Sequence, residues 1–259
     1  MLDFSIKRFY QLVNAFISSN YMFLTYRNSI NYNTSDKIII LRHDVDDRKN
    51  NALTFAEIEK SMGINGTFNF RMIPKTFDRE IIKKIYYLGN EIGYHYETMD
   101  TSRGNIDKAY NEFCHNLETL REIVPIETIC MHGSPLSKYD NREIWTKYDY
   151  KSLGIIAEPY FDLDFNQVFY LTDTGRRWDG DKVSVRDKAM ASNPVTNPDF
   201  INRKYRNTDE IIEAIKNNDF PKHVMMTFHP QRWTDNKILW LKELVSQNIK
   251  NQVKRLLVK

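Results

Sequence analysis

At 259 residues, with 41% hydrophobic, 13% aromatic and 27% charged residues, the chain has enough apolar material for one large core and is not a disordered segment. A net charge of +3, with Lys and Arg spread along the chain rather than gathered on one arm, argues against nucleic acid as a partner. Cys114 and Cys130 are too few for a disulfide framework; with no apparent leader and no apolar run long enough to span a bilayer, a cytoplasmic location is expected.

In chain order, Phe4, Phe9, Leu12, Val13, Phe16 and Ile17 recur at helical spacing, predicting an amphipathic lead-in helix over 4–26. Residues 37–43 form a short apolar run ending in polar residues, the pattern of a strand buried on both faces of a parallel sheet. Helix over 51–62, strand over 66–70, helix over 78–88, strand over 91–95, helix over 105–122 and strand over 128–132 follow in alternation. That rhythm implies right-handed crossovers and a parallel sheet or barrel. Residues 154–157 and 168–171 are strand-like, 179–207 reads as a long loop, 209–216 as a helix, 223–228 as a last strand and 240–257 as a closing helix. With no repeat or linker, one α/β barrel-like domain over 1–259 is expected: a helical lead-in over 1–35, a barrel core over 36–235 and a C-terminal helix over 236–259. The basic stretch 250–259 reads as a solvated helix end, with a membrane surface or anionic partner as the alternative.

Ligand-capable residues fall at the ends of the predicted strands, where a parallel barrel would gather them on one face. Strand alternation turns Asp44 and Asp46 to one side and Val45 to the other. Two carboxylates in one pocket suit a cation, with one as its ligand and the other as a base; a solvated acidic loop partnered by Asp47 and Arg48 is the alternative. His95 with Glu97 offers nitrogen and oxygen donors for zinc or a similar ion, or a purely structural pair. His132, entering a Gly-Ser-Pro turn, is a ligand, an oxyanion contact or a turn cap. Asp173, Arg176, Arg177 and Trp178 combine charge and an aromatic face suited to a sugar or anion, or to a salt bridge over a buried Trp. His229 is placed to give a proton to a leaving group. His43, His115 and His223 read as structural.

From Ile38 to Trp233 the order of these segments resembles the NodB-type polysaccharide deacetylases, carbohydrate esterase family 4. The resemblance implies a distorted (β/α)7-type barrel, a divalent metal, commonly zinc, and removal of acetyl groups from N-acetylated sugars. Asp44-Val45-Asp46 resembles a variant of the first family motif, implying Asp44 as base and Asp46 as ligand. Glu91-Ile-Gly-Tyr-His95 resembles the second, implying His95 as ligand. Met99 stands where that motif has a second histidine, so the third ligand is expected from Glu97 or His132. A thioether there suits a hard or borderline ion poorly. Asp173 with Trp178, and His229, resemble the remaining motifs.

The expected activity is metal-dependent hydrolysis of an N-acetyl group on an amino sugar. Hydrolysis of another C–N bond, or carbohydrate binding without catalysis, are the alternatives.

Overall fold

The computed structural model describes residues 2–32, 35–133, 137–178 and 195–257, with side chains as far as Gln252. Helix α1 (Ile6–Ser18) is capped by Ser5, whose hydroxyl accepts a hydrogen bond from the Arg8 N–H and satisfies a free helical donor. It ends near Asn20, which adopts a left-handed φ of 61°. A short strand, β1 (Met22–Leu24), follows, so the predicted helix over 4–26 is interrupted. The cause is tertiary: these residues find ladder partners on the next strand, Met22 opposite Ile38 and Leu24 opposite Ile40.

Strand β2 (Ile38–Val45), helix α2 (Lys49–Ser61), β3 (Thr67–Phe70), α3 (Arg79–Tyr87), β4 (Glu91–Tyr96), α4 (Ile106–Arg121) and β5 (Ile129–Met131) follow the expected alternation. Side chains of Asp78 and Asn105 cap α3 and α4. Residues 154–157 supply only a bridge, Ala157 to Thr128. Then come β6 (Phe169–Thr172), α5 (Thr208–Lys216), β7 (His223–Phe228) and α6 (Lys237–Leu257). Part of the predicted 179–207 loop, 179–194, lies outside the described residues; the rest includes one helical turn, Pro198–Ile201.

The strands form one parallel sheet in the order β5-β4-β3-β2-β7-β6, with β1 added beside β2. Near its start β2 lies between β1 and β7, and further along between β3 and β7. This is a distorted (β/α) barrel, open among the described residues between β5 and β6 apart from the bridge through Ala157.

Alternation sorts the side chains by face. Ile39, Leu41 and Val45 of β2, Phe68 and Phe70 of β3, Ile92, Tyr94 and Tyr96 of β4, and Val224, Met226 and Phe228 of β7 join the helices in the main core. Ile40 and Met225 face the barrel interior in a smaller cluster with Tyr26 and Ala157. Toward the carboxyl ends of the strands the inward positions turn polar: Arg42, Asp44, Asn69, His95, Thr172 and Thr227, all buried. One fully buried polar pair also lies on the outer face, where His43 Nε2 meets Glu59 Oε1 at 2.6 Å beneath the stacked ring of Phe68.

Candidate active site

The polar ends of the strands open into a cavity of about 390 Å3 whose lining includes Asp44, Asp46, His95, His132 and His229. Asp44 and Asp46 share this side because they are two residues apart on an extended backbone, while Val45 is buried in the core. The same period brings in Arg42. Its Nε donates to Asp44 Oδ1 at 2.9 Å and its Nη2 to Oδ2 at 2.6 Å, while Asn69 Nδ2 donates to Oδ1 at 3.0 Å. Gly93 permits this arrangement: a Cβ there would stand 2.2 Å from Asn69 Oδ1.

Three imidazoles converge on Asp46. His95 Nε2 is 3.6 Å and His132 Nε2 3.5 Å from its Oδ1, and His229 Nε2 is 3.7 Å from its Oδ2. Each ring is oriented through Nδ1: His95 by the Cys130 carbonyl at 2.9 Å, His132 by Glu97 Oε2 at 3.1 Å, and His229 by Asp173 Oδ1 at 2.5 Å. For His95 and His229, engaging Nδ1 as a donor leaves Nε2 as the electron-pair donor toward the cavity; the His132–Glu97 contact is an ion-pair approach rather than a hydrogen bond. Behind them, Arg71 grips Glu97 through Nε at 3.0 Å and Nη2 at 2.5 Å. Asp173 also accepts from Trp233 Nε1 at 2.6 Å and the His229 backbone N–H at 2.9 Å.

Electrostatics reinforce the geometry. Burial opposes ionisation of Asp44, but Arg42 and His95 prevail and hold its carboxyl far below the usual range. Asp46 is likewise lowered against its burial by His132, His229 and His95. Burial pushes His95 down to about 4, so its ring is neutral at pH 7. Glu97 is burdened by burial yet lowered to about 2 by His132 and Arg71.

These residues fit a divalent cation. Asp46 Oδ1 is buried with no hydrogen-bond partner among the described residues. Asp46, His95 and His132 each offer one ligand atom, all within 4.8 Å of one another. The 3.5 and 3.6 Å separations from Asp46 Oδ1 approach the edge of roughly 3.3 Å of a tetrahedron with zinc-like bond lengths. Asp44, His95 and Cys130 form a second group, but burial pushes the Cys130 thiol well above its ordinary value and keeps it a poor donor.

Several expected roles change in the fold. Glu97 is engaged by Arg71 and His132 and stands behind a candidate ligand rather than among the ligands. Asp173 is fully buried and orients His229 instead of lining the cavity for substrate. Trp178 is only 2% exposed, packed against Phe4, Phe228 and Trp233 with its indole N–H donating to Thr208, so it has no free face for a sugar. Arg176 is buried over the rings of Trp240 and Phe4 and is likewise outside the cavity lining. Met99 is in the apolar core, and His132, from the end of β5, supplies the second imidazole beside His95. Ser134 and Pro135 of the expected turn lie outside the described residues.

Sequence reasoning left Arg42, Asn69, Arg71 and Gln231 without roles. Arg42 was within reach, since alternation puts it on the same face as Asp44. Asn69 and Arg71 needed the pairing of β3 with its neighbours, and Gln231 Nε2, 3.4 Å from Asp46 Oδ2, comes from the turn after β7.

No family model and no curated protein sequence matches the chain. Similar solved structures include a family 4 carbohydrate esterase from Bacillus anthracis, with 11% identity over 93% of this chain and 84% of that one and a TM-score of 0.45. Another is PdaA, a family 4 carbohydrate esterase from Bacillus subtilis, at 15% identity, 93% and 84% coverage and a TM-score of 0.43. A third is a pseudoenzyme of the same esterase family from Bacillus anthracis, at 11% identity, 86% and 63% coverage and a TM-score of 0.44.

Proposed function

We propose that this protein is a cytoplasmic zinc-dependent hydrolase that removes the N-acetyl group from an amino sugar. The observation that carries the reading is the convergence of three imidazoles on Asp46, whose buried Oδ1 lacks a hydrogen bond among the described residues. Asp46, His95 and His132 would hold the metal, and one carboxylate oxygen with two imidazole nitrogens suits zinc. When bound, the ion supplies Lewis acidity toward the amide carbonyl and acidifies water.

The chain's own residues do the rest. Asp44, kept ionised by Arg42, takes a proton from the attacking water. His229, on the other side of Asp46, in its imidazolium form hands the Nε2 proton to the departing amine, and buried Asp173 accepts from Nδ1 and stabilises that cationic form. Arg48, Lys75 and Arg232 on the cavity wall are paired with Glu243, Asp47 and Asp173, so the wall carries both charges and suits a polar sugar.

The test is acetate release from N-acetylated sugars by the chelated and zinc-reloaded protein, alongside metal analysis. Zinc-dependent release that is lost in Asp44→Asn is expected. A protein that binds glycans but neither retains metal nor releases acetate overturns the reading in favour of a silent binding protein. Metal-dependent hydrolysis confined to other amides moves it to a different C–N bond.

A further inference from the structure

Helix α6 is built the wrong way round for a surface helix of a soluble domain. Such a helix turns its apolar stripe to the core and its polar face to water. Here the side against the barrel is largely polar. Gln247 and Asn251 are buried and hydrogen-bond to each other at 2.9 Å, Asn251 Nδ2 donates to the Gly175 carbonyl at 3.0 Å, and Glu243 pairs with Arg48 at 3.5 Å. Trp240 supplies the aromatic contact, stacked on Arg176 with its indole N–H donating to the Asp3 carbonyl.

The opposite side carries Ile238, Leu241, Val245 and Ile249, which are 69%, 56%, 51% and 60% exposed. Their spacing of three, four and four residues aligns them on one face. A contiguous exposed stripe of this kind marks an interaction surface.

Charge selects the occupant. Among the described residues, the exposed charges of α6 outside the cavity lining are Lys237 and Lys242, and its one acid, Glu243, is turned inward to Arg48. A second copy docked through the same stripe would set lysines against lysines with no carboxylate from either helix between them. An anionic bilayer complements the pattern: the stripe enters the boundary between headgroups and acyl chains while the lysine stems keep their ammonium groups at the phosphates.

We propose that α6 is an interfacial helix that docks the protein on an anionic lipid surface. Because Glu243, Gln247 and Lys250 also line the active-site cavity, docking sets that cavity about one helix diameter, roughly 10 Å, from the lipid. The proposal does not depend on the hydrolase reading, since lipid binding is measured without substrate.

The experiment is flotation of the full chain with vesicles of phosphatidylcholine alone or mixed with phosphatidylglycerol, at low and high salt. Flotation with the anionic vesicles is expected, weakened at least about tenfold on neutral vesicles or in K237E/K242E, and lost in L241E/I249E. All four substituted side chains are exposed, so thermal unfolding and metal content should match the wild type. No flotation of the wild-type protein, or flotation unchanged by L241E/I249E, overturns the proposal. A wild-type dimer in light scattering that L241E/I249E dissolves, without flotation, assigns the stripe to a second copy instead.

Discussion

His43 and Asp44 are neighbours on β2, both buried, and they serve opposite ends. His43 faces outward into the main core, where Glu59 meets it at 2.6 Å and aromatic rings close around it. Asp44 faces inward, where Arg42 and Asn69 satisfy it and His95 stands 3.8 Å away in an open cavity. The outward pair is enclosed by aromatic rings and leaves His43 Nδ1 and Glu59 Oε2 without partners among the described residues, but neither lines the cavity. The inward cluster leaves Asp46 Oδ1 unsatisfied with two ring nitrogens turned to it and a third to Oδ2, an arrangement open to a ligand. Neither burial nor an unmet valence separates the two; the cavity that the inward groups face does.

The sharpest way to break the comparison is to remove one group from each side. Asp46→Ala should eliminate bound metal and lower kcat by about a thousandfold or more, while its thermal unfolding stays near that of the metal-free wild type or rises, because the empty site loses an unsatisfied carboxylate. Metal analysis beside calorimetry checks both halves. Glu59→Ala should do the reverse, costing about 1–3 kcal/mol in denaturant unfolding by leaving His43 Nε2 buried without its partner, while the folded fraction keeps its metal. If Glu59→Ala instead emptied the metal site, the two faces of β2 would not be separate.

Trp178→Ala tests the reassignment of that residue to the core. A loss of about 3 kcal/mol in stability with KM unchanged is expected, and a raised KM in a fully folded variant would return Trp178 to the substrate.

Glu158 is a third kind of buried acid. Its carboxylate caps a helical turn at Tyr160 N and accepts from Met131 N, yet burial pushes it from its ordinary 4.5 up to about 7. The folded protein therefore holds this proton more tightly than the unfolded chain. The resulting stability is fully present below about pH 4.5 and is lost as pH rises through about 7, on the order of 3 kcal/mol in total. Unfolding measured across that window should show the fall, and Glu158→Gln should flatten it.

Gly93→Ala gives the smallest effect. The new methyl displaces Asn69 from Asp44, for about a tenfold loss in kcat, with metal retained because no candidate ligand moves. Loss of metal in this variant would mean that Asn69 positions more than Asp44.

The alternation of strand and helix, the clustering of Asp44, Asp46, His95 and His229 at strand ends, and the structural place of His43 were legible because they follow from local periodicity. Alternation along an extended chain decides which side a residue faces, whatever the chain packs against. What lay beyond that reach was partnership between segments. Only the pairing of β4 with β5 put His132 beside His95 and let Met99 retire into the core. Only the closeness of β6 and β7 turned Asp173 into the holder of His229. Only the seating of α6 through Trp240, Gln247 and Asn251 left its apolar stripe outside. The sequence by itself determined the elements and which of their residues point the same way. The tertiary structure decided which distant groups meet, because contact between segments depends on strand order and helix docking, which local spacing does not encode.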